Sequence, residues 1–338
     1  MGTVARWVGV CGLVFSCGAW AGFSQAPGVP ALLTQLREQD HFTAPQIATV
    51  EQALAAAQFL SSLIPVPHPA PARPFPWARY RRIAVNPRNL RHGLEFLQAQ
   101  HYWLAKAERI YGVPPAVIAA ILGVESHYGR NAGHLRTLDV LATLAFDDPA
   151  RHAFFFSQLR QFFVLCRNER FDPAQVTGSY AGAIGDAQFM PGNYLKFGVD
   201  FDADGSVNLW SVPDAIGSIA NYLAHFDPRR AWQRGMPLIR PAQAPAQIPQ
   251  NVVVNSLYPT TTIAGLSAAG IGPAEELALP GRLRAGYVHL TGAGGWPANW
   301  LVLPNFYSVM AYNPSTYYAM GVAQLAHALV AEQSDSGG

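Results

Sequence analysis

Apolar positions recur at three- and four-residue spacing along most of this chain, the signature of helices with one buried face. Ile47, Val50, Leu54 and Ala57 keep that rhythm behind Thr43, which predicts a capped helix over residues 43–63. The stretch Pro65-Val66-Pro67-His68-Pro69-Ala70-Pro71 fits neither a helix nor a central strand and reads as a link. Residues 87–111 return to a helical pattern that stops at Gly112. Val113-Pro114-Pro115 then opens another helix, with proline in the first turn, where its missing N–H costs nothing. From Pro114 to Phe226 the order is helix, glycine-rich turn, helix, acidic loop, helix, without strand alternation. After Pro237 the character changes. Residues 251–258, 287–290 and 300–303 are short, β-branched or aromatic runs bounded by Gly and Pro, and predict a small inserted β subdomain. A helix over 315–332 closes a chain that is mainly α, with an α+β insert and no internal repeat.

Composition narrows the setting. Half of the 338 residues are apolar and 13% are charged, well under the roughly 25% usual for a globular domain. A net charge of +2 without Lys/Arg clusters excludes an electrostatic nucleic-acid binder. Arg6, the apolar run Trp7 to Phe15 and the small-x-small triplet Ala19-Trp20-Ala21 make residues 1–21 a signal peptide, and hence predict export to the periplasm. The alternative is cleavage before Cys17 and a lipid anchor in the outer membrane, although bulky Phe15 fits that site poorly. With Cys11 and Cys17 in the leader, Cys166 is alone in an apolar run and reads as a buried structural thiol.

Two constellations carry chemistry. Ile118, Leu122 and Glu125 share one helix face, beside the apolar stripe of Val117, Ile121, Val124 and Tyr128. Glu125 therefore stands where apolar surface should continue, and a carboxyl so desolvated stays protonated near neutrality, as a general acid must. Read from the residues alone, a glutamate leaning out into water is the commoner outcome. His127 lies on the opposite side of that helix. Downstream, the segment Gly178 to Pro191 mixes glycines at 178, 182 and 185 with the polar Ser179 and Gln188 and the flat apolar Tyr180, Phe189 and Met190. Such a mixture suits a sugar, and equally a tight structural turn. In the acidic loop, Asp200, Asp202 and Asp204 alternate before the sharp turn at Gly205, with Ser206 offering its carbonyl. That copies the first seven positions of an EF-hand; the twelfth, Ser211, fails the pattern.

Glu125-Ser126-His127-Tyr128-Gly129-Arg130, Thr137 to Phe146, Gly178 to Pro191 and Asn313-Pro314-Ser315-Thr316-Tyr317-Tyr318-Ala319 together resemble, in order and spacing, the membrane-bound lytic murein transglycosylase B family, over about residues 80–330 outside the β insert. The resemblance implies a lysozyme-like helical core, a helical domain built from both chain ends, and a single catalytic glutamate at Glu125. It implies that Ser179, Gln188, Phe189, Tyr312, Asn313 and Tyr318 line a saccharide groove, to which Tyr180, Met190 and Ser315 are added as neighbours in the same motifs. Asp214 would complete a structural calcium site with Asp200, Asp202, Asp204 and Ser206, because the family lengthens this loop. No His or Cys cluster suggests zinc. The expected division is 1–21 signal peptide, 22–105 N-terminal helical domain, 106–236 catalytic core, 237–303 β subdomain and 304–338 closing segment. The partner is the peptidoglycan glycan strand. Glu125 would protonate the bond between N-acetylmuramic acid and N-acetylglucosamine, and the sugar's own acetamido oxygen would replace a second carboxylate. The chain departs from the family at Asp186-Ala187, where Tyr-Gly is usual, and at His225-Phe226-Asp227-Pro228, where the helix usually ends in Gly-Trp. Asp186 keeps a two-carboxylate hydrolase in view; Asp139 and Asp148 are weaker candidates for that second group. A non-catalytic glycan-binding protein is the third reading.

Overall fold

The computed structural model describes residues 22–64, 75–275, 278–291 and 297–336. The leader, Cys17 and the proline-dense link at 65–71 lie outside the described residues. The helical part begins with α1 (Val29–Glu38), α2 (Ala44–Ala56), α3 (Trp77–Ala84), α4 (Pro87–Ala99), α5 (His101–Tyr111) and α6 (Pro115–Ser126). After β1 (Leu135–Arg136) come α7 (Thr137–Asp147), α8 (His152–Glu169), β2 (Thr177–Gly178), α9 (Pro191–Phe197) and α10 (Val212–His225). The insert holds β3 (Ile239–Gln243), β4 (Thr261–Thr262), α11 (Ile263–Ala268), β5 (Gly272–Pro273), β6 (Arg284–His289) and β7 (Asn299–Val302). α12 (Pro304–Tyr312) and α13 (Thr316–Ser336) complete the chain.

α6 is the axis. Every residue from Ala116 to Gly123 is buried, so the helix is apolar on all sides and takes neighbours all round: α4, α5, α10 and α13 pack against it. α3 and α4 from the N-terminal part meet α13 from the other end of the chain, forming the helical domain made from both termini. α7 and α8 pair next to it, and α1 rests on α8.

The five-stranded sheet runs β4-β6-β7-β3-β5, with antiparallel pairing throughout. Its pleat divides the core. Tyr287 and Leu301 join Ile263, Leu266 and Ile271 in a small cluster on one face, while Val288, Trp300 and Val302 join the main helical core on the other. The sheet is therefore fused to the helical body instead of hanging from it.

Several boundaries differ from the sequence reading. α2 begins at its Thr43–Gln46 capping box but ends at Ala56, because Ala57 turns extended. The run 87–111 breaks at Gln100 (φ −107°, ψ 18°) into α4 and α5, without Gly or Pro to mark the place. Residues 251–258 form a loop that meets the sheet through a bridge from Val254 to Tyr287 and the Asn255 side chain on His289, and exposed Val253 and Val254 follow one another without alternation. The strand in that part of the insert is β3, disguised by Pro241. A two-residue ladder, β1 with β2, also lies in the region expected to lack strands, too short to show a period of two.

Asp139 holds α7 to the N-terminal helices. It is 4% exposed, pairs with Arg136 at 2.7 and 2.8 Å and accepts the Gln58 amide at 2.9 Å. Asp139→Asn is expected to cost about 1–3 kcal/mol in chemical denaturation, the range for a buried polar group that loses a charged partner, with kcat unchanged. Loss of kcat with full stability would assign Asp139 to the chemistry instead.

Candidate functional site

Glu125 occupies the last turn of α6, and the chain behind it is held in an uncommon shape. His127, Tyr128 and Gly129 all have positive φ, at 50°, 60° and 80°. Two of them are not glycine, so surrounding contacts must fix them. The Tyr128 hydroxyl donates to the Asn89 carbonyl at 3.0 Å and its ring packs on Phe96. Ser126 Oγ donates to Leu122 O and accepts the Gly129 amide at 3.1 Å, while the Tyr128 amide also reaches Leu122 O. The turn is closed from both sides. His127, its side chain unneeded for this closure, is exposed.

Glu125 keeps some solvent contact, yet protein surrounds its carboxyl closely. This burial pushes its pKa up from 4.5 to about 7, against a smaller lowering from Tyr318. Three tyrosines feel its charge: Tyr80 of α3, Tyr312 at the end of α12 and Tyr318 of α13. Tyr318 is buried with its hydroxyl beside the carboxyl, near enough to affect it but short of a fully formed hydrogen bond. Tyr312 stacks on Tyr318 at 6.4 Å and donates to the Ala187 carbonyl.

The loop from Gly178 to Pro191 forms the next wall through bridges between Gly178, Ile184 and Phe189. Ser179 Oγ accepts the amides of Ala181 and Ala183 at 3.3 and 3.1 Å. Gln188, at φ 52°, donates through Nε2 to Ala132 O and Gly185 O at 2.9 and 2.8 Å. Asp186 lies beneath Gly129: a side chain at 129 would meet Oδ2 at 2.5 Å. Burial raises the Asp186 pKa to about 6, and Glu125 is absent from the causes of that shift.

In the acidic loop, Asp200, Asp202 and Asp214 bring carboxylate oxygens within 4.8 Å of one another. Asp214 is buried at the start of α10 and accepts the amides of Phe201 and Asn208, both at 2.7 Å. Burial raises its pKa, with Asp202 adding to the shift. Each of its oxygens retains a second lone pair, so the three carboxylates could hold a hard, oxygen-preferring cation.

Residues 29–327 match the family described as the Transglycosylase SLT domain. The chain belongs to this family. It is 40% identical over 256 residues to membrane-bound lytic murein transglycosylase B of Escherichia coli, covering 75% of this chain and 67% of the relative. It superposes on the lytic transglycosylase Slt35 of E. coli in complex with calcium, with a TM-score of 0.78 at 33% identity, over 94% of this chain and 97% of that one. The SltB3 protein of Pseudomonas aeruginosa in complex with NAG-anhNAM-pentapeptide matches with a TM-score of 0.74 at 27% identity, over 88% and 78%. The molecule is thus a lytic transglycosylase with a lysozyme-like fold.

Within this transglycosylase the expected groove residues do not stand alike. Tyr312 and Tyr318 approach Glu125, whereas Phe189 is 2% exposed and lies under the groove, holding Tyr312 and Tyr222 ring to ring. Met190 caps α9, half-buried, and Tyr180 is 75% exposed at the loop tip. Asn313 is exposed at the end of α12, and its carbonyl accepts the Ser315 amide, while Ser315 Oγ accepts the Tyr318 amide. Asp204, also expected in the calcium set, makes local bonds in this structure. It turns onto its own loop, accepting the Ser206 amide and hydroxyl at 2.9 and 2.8 Å, and stays outside the cluster of three. Tyr80 went unread in the sequence; no motif marks it, and only the packing of α3 on α13 brings it to Glu125.

Millimolar calcium is expected to raise the melting temperature by the linkage of an ion bound only to the folded state. Asp202→Ala or Asp204→Ala should remove the increment. Identical melting curves with chelator and with calcium would exclude the site. Glu125 has its own stability signature. Unfolding releases its proton between pH 4.5 and about 7, so its burial lowers stability as pH rises through that window. The melting temperature of Glu125→Gln relative to wild type should therefore climb from pH 4.5 to 7.5, then level off.

Proposed function

We propose that this transglycosylase cleaves the β-1,4 bond between N-acetylmuramic acid and N-acetylglucosamine in peptidoglycan and leaves a 1,6-anhydro end. The observation that carries the reading is a desolvated Glu125 whose raised pKa no neighbouring carboxylate helps to set. A carboxyl protonated near neutrality can give its proton to the glycosidic oxygen, and the C1–O4 bond then breaks. A two-carboxylate glycosidase would need a second ionised group close by. Asp139 and Asp148 are committed to Arg136 and Arg151, and Asp186, set beneath Gly129, has no part in the Glu125 shift. The acetamido carbonyl oxygen of the sugar takes that place by bonding to C1. The C6 hydroxyl next attacks C1, displaces the acetamido oxygen and returns its proton to the Glu125 carboxylate. Both steps are intramolecular in the sugar, where effective concentration favours ring closure over water. The NAG-anhNAM-pentapeptide bound to SltB3 supports this product class.

Tyr312, Tyr318, Ser179, Gln188 and Asn313, with Tyr180, Met190 and Ser315 at the margins, bind the strand, and Phe189 supports them from below. Calcium at Asp200, Asp202, Asp204, Ser206 and Asp214 pins α10 and takes no part in bond breaking; the convergence of Asp200, Asp202 and Asp214 and the calcium complex of Slt35 support this assignment. The enzyme works in the cell envelope, released into the periplasm after residue 21 or held to the outer membrane through Cys17. Residues 106–236 serve as its catalytic core, with 22–105 and 304–338 as the enclosing helical parts and 237–303 as the β subdomain.

Digestion in heavy-oxygen water is the direct test: unlabelled anhydro ends are expected, and stoichiometric label would establish hydrolysis. Glu125→Gln is expected to lower kcat by at least the roughly 10²-fold typical of general acid–base catalysis. The wild-type rate should fall as pH rises through about 7, because the acid must start protonated. A rate that stays level to pH 9 would remove Glu125 from the acid role.

A further inference from the structure

Where the sheet meets the helical body, two adjoining cavities of 310 and 360 Å³ share Gln233, Arg284 and Pro304. Arg229 and Arg230 line one, Arg282 lines the other, and Arg284 lines both. Their walls include Tyr258, Pro259 and Tyr307 and, among the described residues, no acidic side chain. Asp227 stands behind them and pairs with Arg229 and Arg230 at 3.2 and 3.0 Å. Among the described residues, four guanidiniums therefore face one carboxylate. Arg282 is exposed, with no ion pair or hydrogen bond among the described residues.

Two paths join this basic recess to Glu125. α12 begins with Pro304 and Tyr307 in the cavity wall and ends at Tyr312 beside Glu125, about 12 Å away at 1.5 Å per residue. The loop before Tyr258 runs the same way: the Asn255 carbonyl accepts from Thr316 Oγ1 at 3.4 Å, at the start of α13. Along this loop Val253, Val254, Leu257 and Tyr258 are 52, 38, 44 and 52% exposed, a solvent-facing apolar strip unusual for a short stretch of chain. Tyr258 also lies under Arg230, its ring 4.8 Å from the guanidinium carbon.

We propose that the arginine-lined recess binds the terminal carboxylate of the stem peptide carried by the glycan strand, with residues 253–258 as the apolar wall along which the peptide lies. This rests on the peptidoglycan reading above and extends it to the peptide. An extended pentapeptide spans about 17 Å, enough to run from a sugar at Tyr312 to Pro304. Guanidiniums suit a carboxylate because their paired N–H groups match its two oxygens.

The test compares kcat/KM on strands bearing pentapeptide stems with kcat/KM on strands stripped of peptide by an amidase. In Arg229→Ala/Arg282→Ala the ratio of the two is expected to fall about tenfold, the loss of one charge-assisted hydrogen bond. Arg282→Glu should lower it further. Should the double variant fail to fold, exposed Arg282→Ala alone carries the comparison. A ratio equal to that of wild type overturns the proposal, as does wild-type enzyme that cuts both strands equally well. Wild-type enzyme that cuts neither strand counts against the peptidoglycan reading itself. Direct binding supplies the second arm: a muramyl pentapeptide should bind Glu125→Gln protein about tenfold more tightly as the free acid than as the C-terminal amide. Equal affinities would overturn the carboxylate assignment. Loss of binding to anionic lipid vesicles in Arg282→Glu, with the strand ratio unchanged, would make the recess a membrane contact and also overturn it.

Discussion

The structure is organised around the burial of one carboxyl group. A helix as apolar as α6 needs neighbours on every side, and it obtains them from α4, α5, α10 and α13. Glu125 ends that helix where the packing opens, with too little water to ionise freely and too much enclosure to swing away. Its backbone cannot relax either, because Tyr128 is anchored to Asn89 and Ser126 closes the turn onto Leu122 and Gly129. Asp186 beneath Gly129 leaves no room for a side chain there. Strain in a left-handed turn is thus held by contacts from α4, α6 and the glycine-rich loop together.

The tyrosines around the carboxyl explain why the chain ends fold back on each other. Tyr80, Tyr312 and Tyr318 come from α3, α12 and α13, and the aromatic contacts of Trp77, Tyr80 and Tyr317 bind the first of these to the last. A hydroxyl-rimmed apolar wall of this kind keeps water low without sealing the groove. The fused sheet then becomes part of the same body, since Val288, Trp300 and Val302 share its core.

Much of this was legible in the sequence, because the relevant signals are local. The position of Glu125 follows from helical spacing, and Asp200, Asp202 and Gly205 announce their loop by alternation. Other features depend on contacts between distant residues. Nothing near Tyr80 marks it, and the fate of Phe189 is settled by the rings of Tyr222 and Tyr312 above it. The break at Gln100 carries no breaker residue, so tertiary packing alone decides it. Val252-Val253-Val254 has the composition of a strand, but β propensity expresses fit to a half-buried pleated surface, and only Val252 packs on the small core while Val253 and Val254 stay exposed.

The hydrogen bonds already made by the glycine-rich loop give the groove a direction. Ser179 Oγ has both lone pairs occupied by the Ala181 and Ala183 amides, so towards a ligand it can only donate. Gln188 has both N–H bonds committed to Ala132 and Gly185, so towards a ligand it can only accept. A flexible pair of side chains could reverse these roles to suit either orientation of a bound amide; this pair cannot. An amide that enters turned end for end meets donor with donor and acceptor with acceptor. On the proposed substrate reading, this pair would distinguish the two orientations of a strand threaded past it.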